Sequence, residues 1–92
     1  MPLQTVSITI SGRVQGVFFR KYTIDAAIKS GVTGFVMNTL KGDVYIEATG
    51  TESAIAELVK WCHAGSPWSK VEKVSIHQIP FQHYEGFNIR YH

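Results

Sequence analysis

The segment Gln15-Gly16-Val17-Phe18-Phe19, leading into Arg20, joins a glycine to the start of a helical pattern. A glycine lets the main chain turn so that successive N–H groups converge. The unsatisfied amides and the dipole at a helix N-terminus both favour an anion there. Arg20, one turn into the helix, adds a planar fork of donors suited to bidentate contact with a phosphate or carboxylate. On spacing alone, the same residues serve equally well as a plain turn at Gly16 and a solvated helix charge at Arg20. The second polar candidate is Asn38, which ends an apolar run just before a hairpin signal. Asparagine commonly closes strands by capping a turn, so its type alone assigns it no chemical role.

Other chemistries lack their residues. His63, His77, His83 and His92 show no metal-ligand spacing, and neither G-x-x-x-x-G-K-S/T nor G-x-S-x-G occurs. A single cysteine, Cys62, excludes an intrachain disulfide and a cysteine-rich zinc site. Neither Asp25 nor Glu47 has an acidic companion near the candidates. Nine basic and seven acidic residues leave a net charge of +2 with no run of like sign, so a local site rather than a global field must hold any anion. A chain of 92 residues that is 45% hydrophobic and 17% charged fits one small globular domain over residues 1–92. Such a chain spends most of its apolar side chains on its own core, and no cofactor is expected. No apolar run can span a bilayer, and Met1-Pro2-Leu3-Gln4-Thr5 carries no leader pattern, so a cytoplasmic protein with no membrane partner is expected.

The elements that must position the candidates follow from periodicity. Val6, Ile8 and Ile10 alternate with Thr5, Ser7 and Thr9 as a half-buried strand, which Ser11-Gly12-Arg13-Val14-Gln15-Gly16 interrupts. Phe19, Tyr22, Thr23, Ala26 and Ala27 form one helical stripe, with Gly31 placed as its stop. Val32 to Asn38 reads as a second strand, Thr39–Asp43 as a hairpin, and Val44, Ile46 and Ala48 as the inward positions of a third strand. Thr51 is the predicted N-cap of a second helix striped by Ile55, Leu58, Val59 and Cys62, which Gly65-Ser66-Pro67 ends. Trp61 and Trp68 flank the end of this helix, positions that fit cover for the core or a loop. Val71 to Ile79 is a fourth strand closed by Pro80, and Phe87, Ile89 and Tyr91 alternate as a short last one.

The order β-α-β-β-α-β plus a terminal strand predicts an α+β, ferredoxin-like sandwich, with two helices on one face of an antiparallel sheet. In the spatial order 4-1-3-2, the first two strands end on the same rim with one strand between them. The Gly16 loop and Asn38 are then roughly 10 Å apart, at about 4.8 Å per strand. The outward positions Thr5, Ser7 and Thr9 offer no stacking platform for bases, and only Tyr45 is aromatic on the third strand, so no nucleic acid is expected as a partner.

The run Gly12-Arg13-Val14-Gln15-Gly16-Val17-Phe18-Phe19-Arg20 resembles the acylphosphatase signature V-Q-G-V-x-F-R followed by a helix. Gly34-Phe35-Val36-Met37-Asn38-Thr39-Leu40-Lys41-Gly42-Asp43-Val44 is similar to that family's G-x-V-x-N-x-x-x-G-x-V pattern, and Asn88-Ile89-Arg90-Tyr91 to its ending. The resemblance spans essentially the whole chain. It implies a monomer that hydrolyses a small-molecule acyl phosphate without a metal. By matching positions, Arg20 is the phosphate-binding arginine and Asn38 positions the attacking water. The amides of Gln15, Gly16, Val17, Phe18, Phe19 and Arg20 cradle the phosphoryl oxygens. The chemistry is consistent, because a carboxylate leaving group whose acid has a pKa of roughly 4 departs without a general acid. The alternative is a binding module that holds phosphate or carbamoyl phosphate without turnover.

Overall fold

The computed structural model describes residues 2–91, so His92 lies outside the described residues. The elements are β1 (Gln4–Arg13), α1 (Phe19–Ser30), β2 (Thr33–Asn38), β3 (Val44–Gly50), α2 (Glu52–Ala64), β4 (Lys70–Ile79) and β5 (Phe87–Ile89). One sheet holds the strands in the order β4-β1-β3-β2-β5, as the expected ferredoxin-like arrangement with a terminal strand added. Neighbours are antiparallel except for β5, which runs parallel to β2. Val6, Ile8 and Ile10 of β1, Val36 of β2 and Val44, Ile46 and Ala48 of β3 share one buried core with Phe19, Ala27, Ile55, Leu58 and Cys62 of the helices. Each fully buried Leu, Ile or Phe contributes roughly 1.5–3 kcal/mol, and a one-residue slip of any strand would turn its whole apolar set outward. Register is fixed on that account. Gly31 (φ 84°) and Thr51 take the capping roles that their positions predict.

These pairings gather chain ends on one rim. β1 and β2 are both antiparallel to β3, and β5 is parallel to β2, so all three strands end on this rim. β4, antiparallel to β1, begins there. The rim therefore carries residues 14–18, the hairpin 39–43, the connection 65–69 and residues 90–91.

The structure departs from the periodicity in three places. β1 runs past the expected break at Ser11 to Arg13, through a bulge where its register against β4 shifts between Ser11 and Gly12. A Cβ on Gly12 would run into the Lys70 carbonyl oxygen, so only glycine allows this approach. Second, Thr5 and Ser7 are buried although they face away from the helices. After β4 the chain crosses that face to reach the opposite edge, and its hydrogen bonds close over the threonines. Thr5 Oγ1 accepts from the Gln82 N–H at 2.9 Å, and Thr49 Oγ1 donates to the Gln82 carbonyl at 2.7 Å. The two hydroxyls lie 2.6 Å apart, so Thr5 donates to Thr49 and each oxygen is satisfied. On the same face the Tyr45 and Tyr84 hydroxyls both donate to the Glu47 carboxylate. Burial, then the Glu47 bond and charge, push both phenols up to about 12. Third, Tyr91 lies beyond the last strand. The parallel ladder reaches only Val36 opposite Ile89, and the Arg90 N–H closes it on the Val36 carbonyl at 2.9 Å.

Candidate active site

The loop between β1 and α1 is shaped by two left-handed residues, Gly16 (φ 74°) and Phe18 (φ 60°). Space does not demand the glycine, since a Cβ at Gly16 would meet nothing within 4 Å; the backbone angle does. Phe18 adopts that angle with a side chain attached, at a cost of about 1–2 kcal/mol. The loop is pinned from both sides. Val14 and Phe19 are buried, the Phe19 ring lies 5.1 Å from Trp61, and Ser66 Oγ donates to the Val17 carbonyl at 3.0 Å.

Alternating left-handed turns make a concavity of main-chain N–H groups. The two helix starts differ in how they use such groups. At α2, Thr51 Oγ1 accepts from the Ala54 N–H and Glu52 sits in the first turn. At α1, Phe18 provides no side-chain cap and the first turn has no acidic residue. Among the described residues, none of the turn, loop and cap hydrogen bonds is donated by the N–H groups of Gly16 through Arg20. The positive end of α1 is thus left open to an anion.

Asn38 ends β2 opposite Val44, and Arg20 reaches the same place from α1. Both line a cavity of about 260 Å³ together with Gly16, Phe18, Phe19 and Lys21. They also line an adjoining one of about 230 Å³ whose other walls are Arg90 and Tyr91. The Arg20 guanidinium lies over the Tyr91 ring, 5.4 Å from its centroid. Arg90 stacks on Phe35 at 3.8 Å. Three cationic side chains and no carboxylate or histidine border the two cavities among the described residues. Asn38 Oδ1 is buried there without a hydrogen-bond partner. A buried acceptor without a donor costs about 1–3 kcal/mol, and no donor of the protein offsets that cost at Asn38. A larger groove of about 680 Å³ between the helices, lined by Tyr22, Lys29, Glu57 and Trp61 among others, contains none of the candidates. Cys62 is fully buried outside these cavities, and burial pushes its thiol up to about 12.

The family model for acylphosphatase matches residues 6–89. The chain belongs to the acylphosphatase family. It is 45% identical over 83 residues to an acylphosphatase of Haloquadratum walsbyi, covering 90% of this chain and 89% of that one. It is 42% identical over 94 residues to acylphosphatase-2 of Bos taurus, covering 98% and 95% of the two chains. Among solved structures, the acylphosphatase from Bacillus subtilis superposes with a TM-score of 0.92 at 36% identity, covering 98% of this chain and all of that one.

Within this family fold, Gly16, Phe18, Phe19, Arg20 and Asn38 come together around one cavity, whereas Val17 packs against the core. The sequence assigns Gln15 only a main-chain role. Its side chain is a strut: Gln15 Nε2 donates to the Thr39 carbonyl at 2.9 Å and the Asp43 carbonyl at 2.8 Å, tying the loop to the hairpin that follows Asn38. Gln15→Leu is expected to lower unfolding free energy by about 1–2 kcal/mol and kcat by about tenfold, and Gln15→Glu, which turns a carboxylate toward two carbonyl oxygens, to be worse. Urea unfolding and steady-state kinetics measure both. Ile89, Arg90 and Tyr91 also line the cavities, and none of them is among the sequence candidates, although Ile89 and Tyr91 read as part of a last strand. The Asn88-Ile89-Arg90-Tyr91 ending was a usable signal, but only the parallel pairing of β5 with β2 brings it beside Asn38.

Proposed function

We propose that this chain hydrolyses acyl phosphates, R–CO–O–PO3, to a carboxylate and inorganic phosphate. The observation that carries the reading is the convergence of Arg20 and Asn38 on one cavity beside the open N–H groups of the Gly16 loop, with Asn38 Oδ1 left without a hydrogen-bond partner in the protein. An anion in the loop meets converging N–H dipoles and a guanidinium, which neutralise charge on the phosphoryl oxygens. An amide oxygen at Asn38 accepts an O–H from water and fixes its direction, and it takes no proton at neutral pH. The water oxygen bonds to phosphorus as the bond from phosphorus to the bridging oxygen breaks, and the carboxylate leaves with the electron pair. One water added to the acyl phosphate dianion yields the carboxylate and dihydrogen phosphate. With no carboxylate or histidine among the described residues around the cavities, the water's proton passes to a phosphoryl oxygen or to solvent. Phosphoryl transfer of this kind needs positioning and charge stabilisation, which the loop and Arg20 supply without a metal. Action as a monomer in the cytoplasm, over residues 1–92 as one domain, belongs to the same reading.

Hydrolysis of benzoyl phosphate in 18O-labelled water tests it. The label is expected in inorganic phosphate, with a rate unchanged by a chelator. Label in benzoate would place the attack on carbon and overturn the mechanism. Phosphate binding without turnover would favour a binding module instead.

A further inference from the structure

The rim carries an aromatic group with no part in the chemistry above. Phe18 is 65% exposed and Trp68 is 59% exposed, two large apolar side chains left in water. They are not scattered. Their rings meet edge to face at 5.9 Å, and Trp68 lies 6.3 Å from the Tyr22 ring. Phe18 also borders the cavity that holds Arg20 and Asn38. The backbone at Phe18 is left-handed, where glycine or asparagine is the ordinary choice, so the bend does not require a phenyl ring and the fold does not bury it. Ser66 anchors the connection that carries Trp68 to this loop, through its hydroxyl bond to the Val17 carbonyl. A contiguous apolar patch rimmed by Arg20 and Lys21, at the mouth of an anion cavity, has the make-up of a ligand surface.

A phosphoryl group bounded by the loop N–H groups and Arg20 must project its acyl group out of the cavity, and Phe18 is the exposed ring that lines this cavity beside the loop, whereas Tyr91, also exposed, lies against the Arg20 guanidinium on the adjoining one. The geometry points to an acyl-recognition surface: Phe18, braced by Trp68, selects acyl phosphates with aromatic acyl groups over acetyl phosphate. The inference rests on the acyl-phosphate reading above. A ring stacked or edged on Phe18 gains contact that an acetyl group cannot make.

The test is the ratio of kcat/KM for benzoyl phosphate to that for acetyl phosphate, measured in the parent, in Phe18→Asn and in Trp68→Ser. Comparing ratios across variants cancels the intrinsic reactivity of the two leaving groups. Asparagine tolerates the left-handed backbone, and Trp68→Ser leaves the loop sequence intact. The ratio is expected to fall about threefold to tenfold in Phe18→Asn and in the same direction in Trp68→Ser. An unchanged ratio overturns the inference, including one in which both substrates lose rate in parallel. If Phe18→Asn does not fold, the ratio in Trp68→Ser decides alone. A parent that turns over neither acyl phosphate defeats the underlying reading, a separate outcome from a parent that turns over both with a ratio the variants do not move.

Discussion

Arg20→Ala is expected to lower kcat/KM for an acyl phosphate by about a thousandfold and to weaken competitive inhibition by inorganic phosphate in parallel. In the proposed role the two effects go together, because the guanidinium would meet the phosphoryl oxygens in the ground state and in the transition state alike. Lys21 and Arg90 border the same cavities, so positive charge remains after the substitution, but neither reaches the loop from the position of Arg20. Arg20→Lys is expected to recover only part of the loss. An ammonium restores the charge as a point, whereas the guanidinium offers a rigid fork and a flat face that lies over Tyr91. The side chain is half-buried and anchors nothing in the core, so thermal unfolding of Arg20→Ala is expected within about 0.5 kcal/mol of the parent. Steady-state kinetics with phosphate as inhibitor, set beside a melting curve, separate a lost contact from a lost fold. Unchanged phosphate inhibition would remove Arg20 from the binding role.

Much of this arrangement was legible because it depends on local periods. Val6, Ile8 and Ile10 in β1, and Ile55, Leu58 and Cys62 in α2, declare their elements through spacings of two and of three or four, and the core uses those faces. Once the elements are ordered, the shared rim of Gly16 and Asn38 follows from topology alone. Four features do not depend on local spacing. The burial of Thr5 comes from Gln82, which is distant in sequence and reaches the threonine only because the chain crosses the sheet. Tyr91 and Arg90 stand near Arg20 because β5 pairs parallel with β2, and three residues of strand carry too little pattern to announce a partner. The Gln15 strut needs the hairpin carbonyls of Thr39 and Asp43 in one place, which only the folded rim provides. The αL backbone at Phe18 is a fourth case. Nothing in a phenylalanine predicts it, and the neighbouring glycine advertises a bend without saying how far it extends.

Asn38→Ala is expected to lower kcat by about a hundredfold to a thousandfold while leaving phosphate inhibition near the parent value. That split follows from the proposed roles, in which Arg20 and the loop hold the phosphoryl group and Asn38 touches the water alone. The stability outcome is the sharper test. A residue kept for the fold would cost stability on removal, yet Asn38 Oδ1 is a buried acceptor with nothing to accept from in the protein. Its deletion removes a desolvation penalty, so unfolding free energy is expected to stay level or rise by up to about 1 kcal/mol as activity collapses. Asn38→Asp completes the set. Aspartate keeps the oxygen and supplies a base, which would help if proton removal limited the reaction. It also places a negative charge against the phosphoryl anion in a cavity whose other charged walls are cationic. Phosphate inhibition is therefore expected to weaken in Asn38→Asp although it survives in Asn38→Ala, and turnover to fall in both. Recovery of turnover in the aspartate variant would mean that the water needs a base more than a direction, and the positioning role of Asn38 would be lost.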